Sequence, residues 1–357
     1  MTRSTTSRRP GLLAAALAAI GGAAVPGDVL AHALDASGAP PHLGWSYEPW
    51  VVACLLASAA LYVLGVARLW RHAGAGRGVQ AGRAITFAAG WLVLAAALVS
   101  PLDALGAYLF AAHMVQHELL MVIAAPLLVL GHPLAAWAWA FPPAGRRALG
   151  RFFHRPAWRR PWLVLTGPLA GWTLHALALW LWHVPVLFDA ALASEGVHAL
   201  QHIAFLGTAL LFWWTVLGAG TRREQGIAIA SLFTTMVHTG ALGALLTLAP
   251  VVFYKAYLGT APAFGFTPLE DQQLGGLVMW VPAGFVYVVA GLVLAARWLG
   301  GSRPNPPADR AGRPAQRRAP APLTSAASSG ARRPLLRSRS WTSFCSSRPR
   351  SWGSSRA

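Results

Sequence analysis

Charge is what this sequence lacks. Only 11% of its 357 residues are Asp, Glu, Lys or Arg, whereas a soluble domain carries about a quarter. That deficit excludes an ordinary water-facing surface. Cysteine is almost missing too. Cys54 lies in an apolar run and Cys345 in the C-terminal arm, with no C-x-x-C or paired spacing. A disulfide framework and a thiolate metal site are therefore both excluded. There is no glycine loop of the phosphate-binding kind, no nucleotide motif and no nucleophile–base constellation, so the sequence does not point to an enzyme. Acidic residues number 11 against 29 basic ones, giving a net charge of +18. The excess is not a nucleic-acid footprint, because residues 301–357 alone hold twelve Arg and one Asp.

What the chain has instead is long apolar runs. The first ten residues, MTRSTTSRRP, form a positive n-region, GLLAAALAAIGGAAV an apolar h-region, and Ala31-His32-Ala33 an A-x-A site. Residues 1–33 are predicted to be a secretory signal peptide, cut after Ala33. A spanning helix needs about 20 mostly apolar residues. Seven stretches meet or approach that length: 50–69, 84–100, 107–131, 162–183, 198–219, 227–250 and 274–299. The fold class expected is an all-α integral membrane bundle of seven transmembrane helices over residues 45–300. The apolar patch 133–141 is too short to span and reads as interfacial. The seventeen Trp fit a membrane protein, since Trp collects at bilayer interfaces.

Loop charge gives the orientation. Loops 70–83, 132–161 and 220–226 carry Arg, as does the tail; the alternate loops carry Asp103, then Asp189 and Glu195, then Glu270 and Asp271, with Lys255 their only base. The basic loops are predicted to be cytoplasmic, which puts the mature N-terminus in the periplasm and the C-terminus inside a cell (plasma) membrane. The Arg-rich tail 301–357 has too little apolar surface to order and is expected to be a disordered cytoplasmic arm, at most touching membrane lipids through their anionic headgroups.

Histidine is the conspicuous polar residue within the spans. HMVQH at 113–117 and HALQH at 198–202 each set two imidazoles at i and i+4, on one helix face. By the predicted topology both pairs lie near the outer surface, and so does His183 at the outer end of the fourth span. His238 lies deeper, in the sixth. Ionisable groups inside a membrane are costly and usually face the bundle interior. Imidazole ligates Zn, Cu and Fe. His113, His117, His183, His198, His202 and His238 are therefore candidate ligands, with Gln116, Gln201, Asp271 and Gln272 as groups that could orient them. His42, His72, His132, His154 and His175 read as polar bridges or loop residues, and the membrane Met residues as packing. Glu118 has no basic partner within a nearby span. The chemistry stays open at this point: a copper site, axial ligation of b-type haem in a redox protein, or a copper or proton transporter.

Taken in order, HMVQHELLMVIAAPLLVLGHP, WLWHVPVLFDAALASEGVHALQH, LLFWW, MVHTGALGALLTLAP and EDQQLGGLVMWVPAG resemble the polytopic CtaG family of cytochrome c oxidase assembly factors. The resemblance covers roughly residues 45–300. It implies a membrane protein that matures a haem–copper oxidase at the copper-insertion stage, with oxidase subunits as partners and copper as the ion handled. The family's histidine positions carry over onto the six named above, and its acidic-amide motif onto Asp271, Gln272 and Gln273. Glu118 departs from the family pattern, where an apolar residue is expected.

Overall fold

The computed structural model describes residues 43–300. The expected signal peptide and Arg-rich arm lie outside the described residues. Those described form helices and connecting turns, with no strand among them: α1 (Pro49–Ala73), α2 (Ala81–Val99), α3 (Pro101–Gly106), α4 (Phe110–Glu118), a π-helical turn (Leu119–Ala124), α5 (Ala125–Leu130), α6 (Pro133–Trp139), α7 (Pro143–Phe153), α8 (Pro156–Leu165), α9 (Pro168–Trp182), α10 (Pro185–Ala193), α11 (Glu195–Leu217), α12 (Arg222–Thr247) and α13 (Pro268–Gly300). Proline opens eight of these helices. Its fixed φ suits the first helical position, where its missing N–H costs nothing.

Six helices are long and apolar enough to cross a membrane: α1, α2, the continuous run Phe110–Leu130, α11, α12 and α13. The fourth predicted span, 162–183, is not one straight helix. The chain bends by 68° between α8 and α9, and the pair counts as a seventh crossing only if taken together. Pro168 explains the break: it has no N–H to continue the ladder, and it holds Gly167 extended at ψ 144°. The short apolar patch is the helix α6, which packs along α1. There Gly65 admits the Ala136 carbonyl, which a Cβ at that position would meet at 1.8 Å.

The third span carries a second irregularity with a local cause. Pro126 cannot donate within the ladder, so the run before it widens into a π turn, as expected where the i→i−4 pattern fails. Backbone carbonyls freed inside a membrane must find another donor. The buried indole of Trp213, on α11, supplies one to the Met121 carbonyl at 2.9 Å. The sixth and seventh spans pack closest at Gly276, where a Cβ would lie 2.6 Å from the Thr247 nitrogen and 2.7 Å from the Gly243 carbonyl oxygen. Small residues allow such backbone approach between membrane helices.

Candidate metal centre

The end of the bundle that carries the acidic loops is tied together by buried side chains reaching backbone across the chain. Asp271, 1% exposed, accepts from the Phe110 N–H at 2.7 Å and the Ala111 N–H at 3.0 Å. It thereby caps the start of α4, whose first N–H groups have no intrahelical partner. Gln272 accepts from the Phe253 N–H at 2.6 Å and donates to the Val251 carbonyl at 3.1 Å. From the loop between α12 and α13, Tyr254 donates to the His183 carbonyl and Tyr257 to the Gly106 carbonyl, each at 2.9 Å. Thr260 donates to the Tyr108 carbonyl at 2.7 Å. Burial, with Asp271 nearby, pushes the Tyr257 phenol well above its ordinary range. Burial, then Asp189, does the same for Tyr254. Both phenols therefore stay protonated and remain donors.

Under this clasp five imidazoles converge. The i, i+4 pairs lie edge to face or tilted, His113 to His117 at 4.3 Å and His198 to His202 at 4.2 Å between ring centroids. Across the helices, His113 is 5.3 Å from His198, His117 is 5.5 Å from His202, and His117 is 6.3 Å from His183. Each of His113, His198 and His202 offers a ring nitrogen within 4.8 Å of the other two, close enough to share one ion. Phe188 packs on His113 at 4.9 Å and Phe205 on His117 at 4.6 Å. Both phenylalanines are fully buried and close the sides of the cluster.

The hydrogen-bond accounting sets the cluster apart from an ordinary buried polar group. Buried ring nitrogens normally have partners. Here both nitrogens of His113 and of His117, and Nε2 of His183, His198 and His202, are buried without a hydrogen bond. The polar groups that approach His113 are the Gly106 carbonyl and the Gln201 side chain, neither in hydrogen-bonding geometry. In His183 one nitrogen is tied down and the other left free. Its Nδ1 lies 2.6 Å from the Leu179 carbonyl, which only accepts. The proton therefore sits on Nδ1, and Nε2 keeps its lone pair. His113 and His117 are 1% exposed and His183 5%, whereas His198 and His202 are half-buried.

Of the six predicted ligands, the structure brings together five. His238 does not join them; its ring packs edge-on against Trp172 at 5.9 Å. Gln201, fully buried on α11, has both amide atoms unpartnered and stands beside His113. The remaining orienting candidates are placed elsewhere. Gln116 donates to the Ala97 carbonyl at 2.8 Å and to Asp103 at 2.6 Å. Asp103 in turn lies within electrostatic reach of His198. Asp271 and Gln272 hold backbone, as described. Glu118 lies within electrostatic reach of Tyr287 and has one carboxyl oxygen buried and unpartnered. The walls Phe188 and Phe205 went unnoticed in the sequence, because a Phe in an apolar run carries no mark of what it touches. The Tyr254–Tyr257 clasp was equally hidden in a loop with little pattern.

The family model for the cytochrome c oxidase caa3 assembly factors, Caa3_CtaG, matches residues 60–300. No curated protein and no solved structure matches the chain.

Proposed function

The chain belongs to the family of cytochrome c oxidase caa3 assembly factors, and from that premise we propose that its imidazole cluster carries copper as cargo to an oxidase subunit. The observation that supports this most is the set of buried, unpartnered ring nitrogens, in a cluster where His113, His198 and His202 each bring a ring nitrogen within 4.8 Å of the others. Leaving such atoms without a partner costs about 1–3 kcal/mol each, and a bound cation turns that cost into ligation. A thiolate-free, imidazole-rich set suits Cu(II), or Cu(I) at low coordination number. In this reading the acidic loops face the periplasm, where the ion arrives past the half-buried His198 and His202, and the basic end faces the cytoplasm. The clasp at Tyr254 and Tyr257 and the cap at Asp271 hold the helix ends in register. The half-buried pair leaves the cluster open for release to a client subunit. The protein does no bond chemistry of its own.

The haem alternative fits less well. Two axial imidazoles need a slot between helices wide enough for a macrocycle, and here Phe188 and Phe205 fill the space beside the rings. The test is a quadruple variant, with His113, His117, His198 and His202 each changed to Ala, in cells that depend on the oxidase. Loss of oxidase copper with normal variant abundance in the membrane is the expected result. Intact oxidase maturation would defeat the proposal, and a Soret band in the purified protein would favour haem.

A further inference from the structure

One surface at the basic end has no part in the proposed function. Helices α7 and α8 follow each other directly as a hairpin. At 1.5 Å per residue each is about 15 Å long, half of the roughly 30 Å that a membrane crossing takes. Neither has a buried residue. Helices this short are marginal unless one face is covered, and here the protein itself covers none.

The hairpin is two-sided. On α7, Arg147 and Arg151 stand one turn apart, and Leu149, Phe152 and Phe153 lie on the opposite side at helical spacing. On α8, Trp158, Trp162 and Leu165 share a face, with Arg160 across from it. The aromatics meet where the helices join. Phe152 is 5.2 Å from both Phe153 and Trp158, and all three rings are exposed. The Arg155 guanidinium lies 6.0 Å over the Phe152 ring. Arg146, 3.8 Å over the Trp139 ring, fastens the hairpin to α6. At its other end α8 turns by 68° into α9.

The charge has one sign. Six Arg fall between residues 146 and 160, and residues 119–188 contain no Asp or Glu. Five of the six, all but Arg146, are exposed. Arg147 gives the Pro143 carbonyl one N–H at 3.2 Å, out of five donors. A row of guanidinium groups beside an apolar ridge matches a phospholipid interface, where phosphates meet acyl chains. Aromatic rings settle at that boundary, and arginine forks take phosphate oxygens. The helices on either side, α6 packed along the span α1 and α9 within the bundle, hold the hairpin at the bilayer surface. That placement favours lipid over a soluble acidic partner.

We propose that α7 and α8 lie in the plane of the membrane and bind anionic phospholipid, with the arginines on the headgroup phosphates and the aromatic ridge at the acyl boundary. The inference is independent of the metal centre.

The experiment titrates the detergent-purified full chain with phosphatidylglycerol or phosphatidylcholine of matched acyl chains and counts bound lipid by native mass spectrometry. The wild type is expected to prefer phosphatidylglycerol. Changing Arg147, Arg151, Arg155 and Arg160 together to Gln is expected to lower that preference about tenfold or more. The same four changed to Lys, which keeps the charge and loses only the fork, should retain most of it. Changing Arg71, Arg77, Arg222 and Arg223 to Gln, in the other basic loops, should leave it within about twofold. A wild type that binds both lipids equally would overturn the proposal. So would a monodisperse Gln variant of the hairpin with undiminished preference, which would turn the basic face toward a macromolecular partner instead. An equal loss in the Lys variant, or in the variant of the other loops, would also refute it.

Discussion

The two ends of the bundle are built on different principles. At the acidic end, buried side chains reach backbone far along the chain: Asp271 caps a helix that starts 161 residues earlier, and Tyr257 holds a carbonyl 151 residues away. At the basic end, apart from the buried Tyr62 hydroxyl that donates to the Gly131 carbonyl at 2.9 Å, the devices are local or exposed. Thr221 and Glu224 form a capping box within one turn, Arg146 lies over the Trp139 ring at 3.8 Å, and Arg68 donates to the Ala140 carbonyl. Under the proposed function, the difference follows from what each end must do. Ligands from separate helices are useful only if held to within a fraction of an ångström by a supporting shell. Basic loops set orientation by charge alone, which tolerates imprecise geometry.

Substitutions at the two ends should separate these roles. The largest effect is expected from Asp271→Ala, which leaves the Phe110 and Ala111 N–H groups buried and unpaired. At about 1–3 kcal/mol for each group, the loss should be about 2–6 kcal/mol by thermal unfolding in detergent, with copper retention falling alongside. Asp271→Asn, which keeps one acceptor oxygen, should recover part of it. Trp213→Phe orphans the Met121 carbonyl and should cost about 1–3 kcal/mol. It should also disturb the register of the π turn directly after His117 and Glu118. Tyr254→Phe removes a single hydrogen bond to the His183 carbonyl, about 1 kcal/mol, and should speed copper loss from the purified protein more than it lowers stability. Glu224→Gln is expected to do least: the exposed capping box should weaken by well under about 1 kcal/mol, with copper retention unchanged. If Glu224→Gln were to lower retention as much as Tyr254→Phe, the contrast between the ends would be wrong.

Much of the frame was legible in the sequence because membrane helices announce themselves by length and hydropathy. The i, i+4 spacing of His113 with His117 and of His198 with His202 fixed which imidazoles share a face, and the alternation of basic and acidic loops placed both pairs near one end. His183 joined them by the same logic. His238 could not be separated from the five by depth alone, because its neighbour Trp172 lies on another helix and no spacing rule links positions on different helices. His175 is a polar bridge as expected, its Nδ1 3.2 Å from the Thr208 hydroxyl. The roles of Asp271 and Gln272 were misplaced for a similar reason: their partners are backbone groups, which sequence does not reveal. The bend before Pro168 and the π turn before Pro126 each had a proline to announce them, but proline marks a break without giving its size.

The central claim is that imidazoles from two helices, His113 on one and His198 and His202 on the other, hold one ion together. Copper K-edge absorption of the loaded full-length protein tests it most directly, because imidazole rings give a distinctive multiple-scattering pattern. The account predicts three or more imidazole nitrogens on a single copper, reduced when His113 or His202 is changed to Ala. A spectrum with only oxygen scatterers, or one that those changes leave untouched, would contradict it.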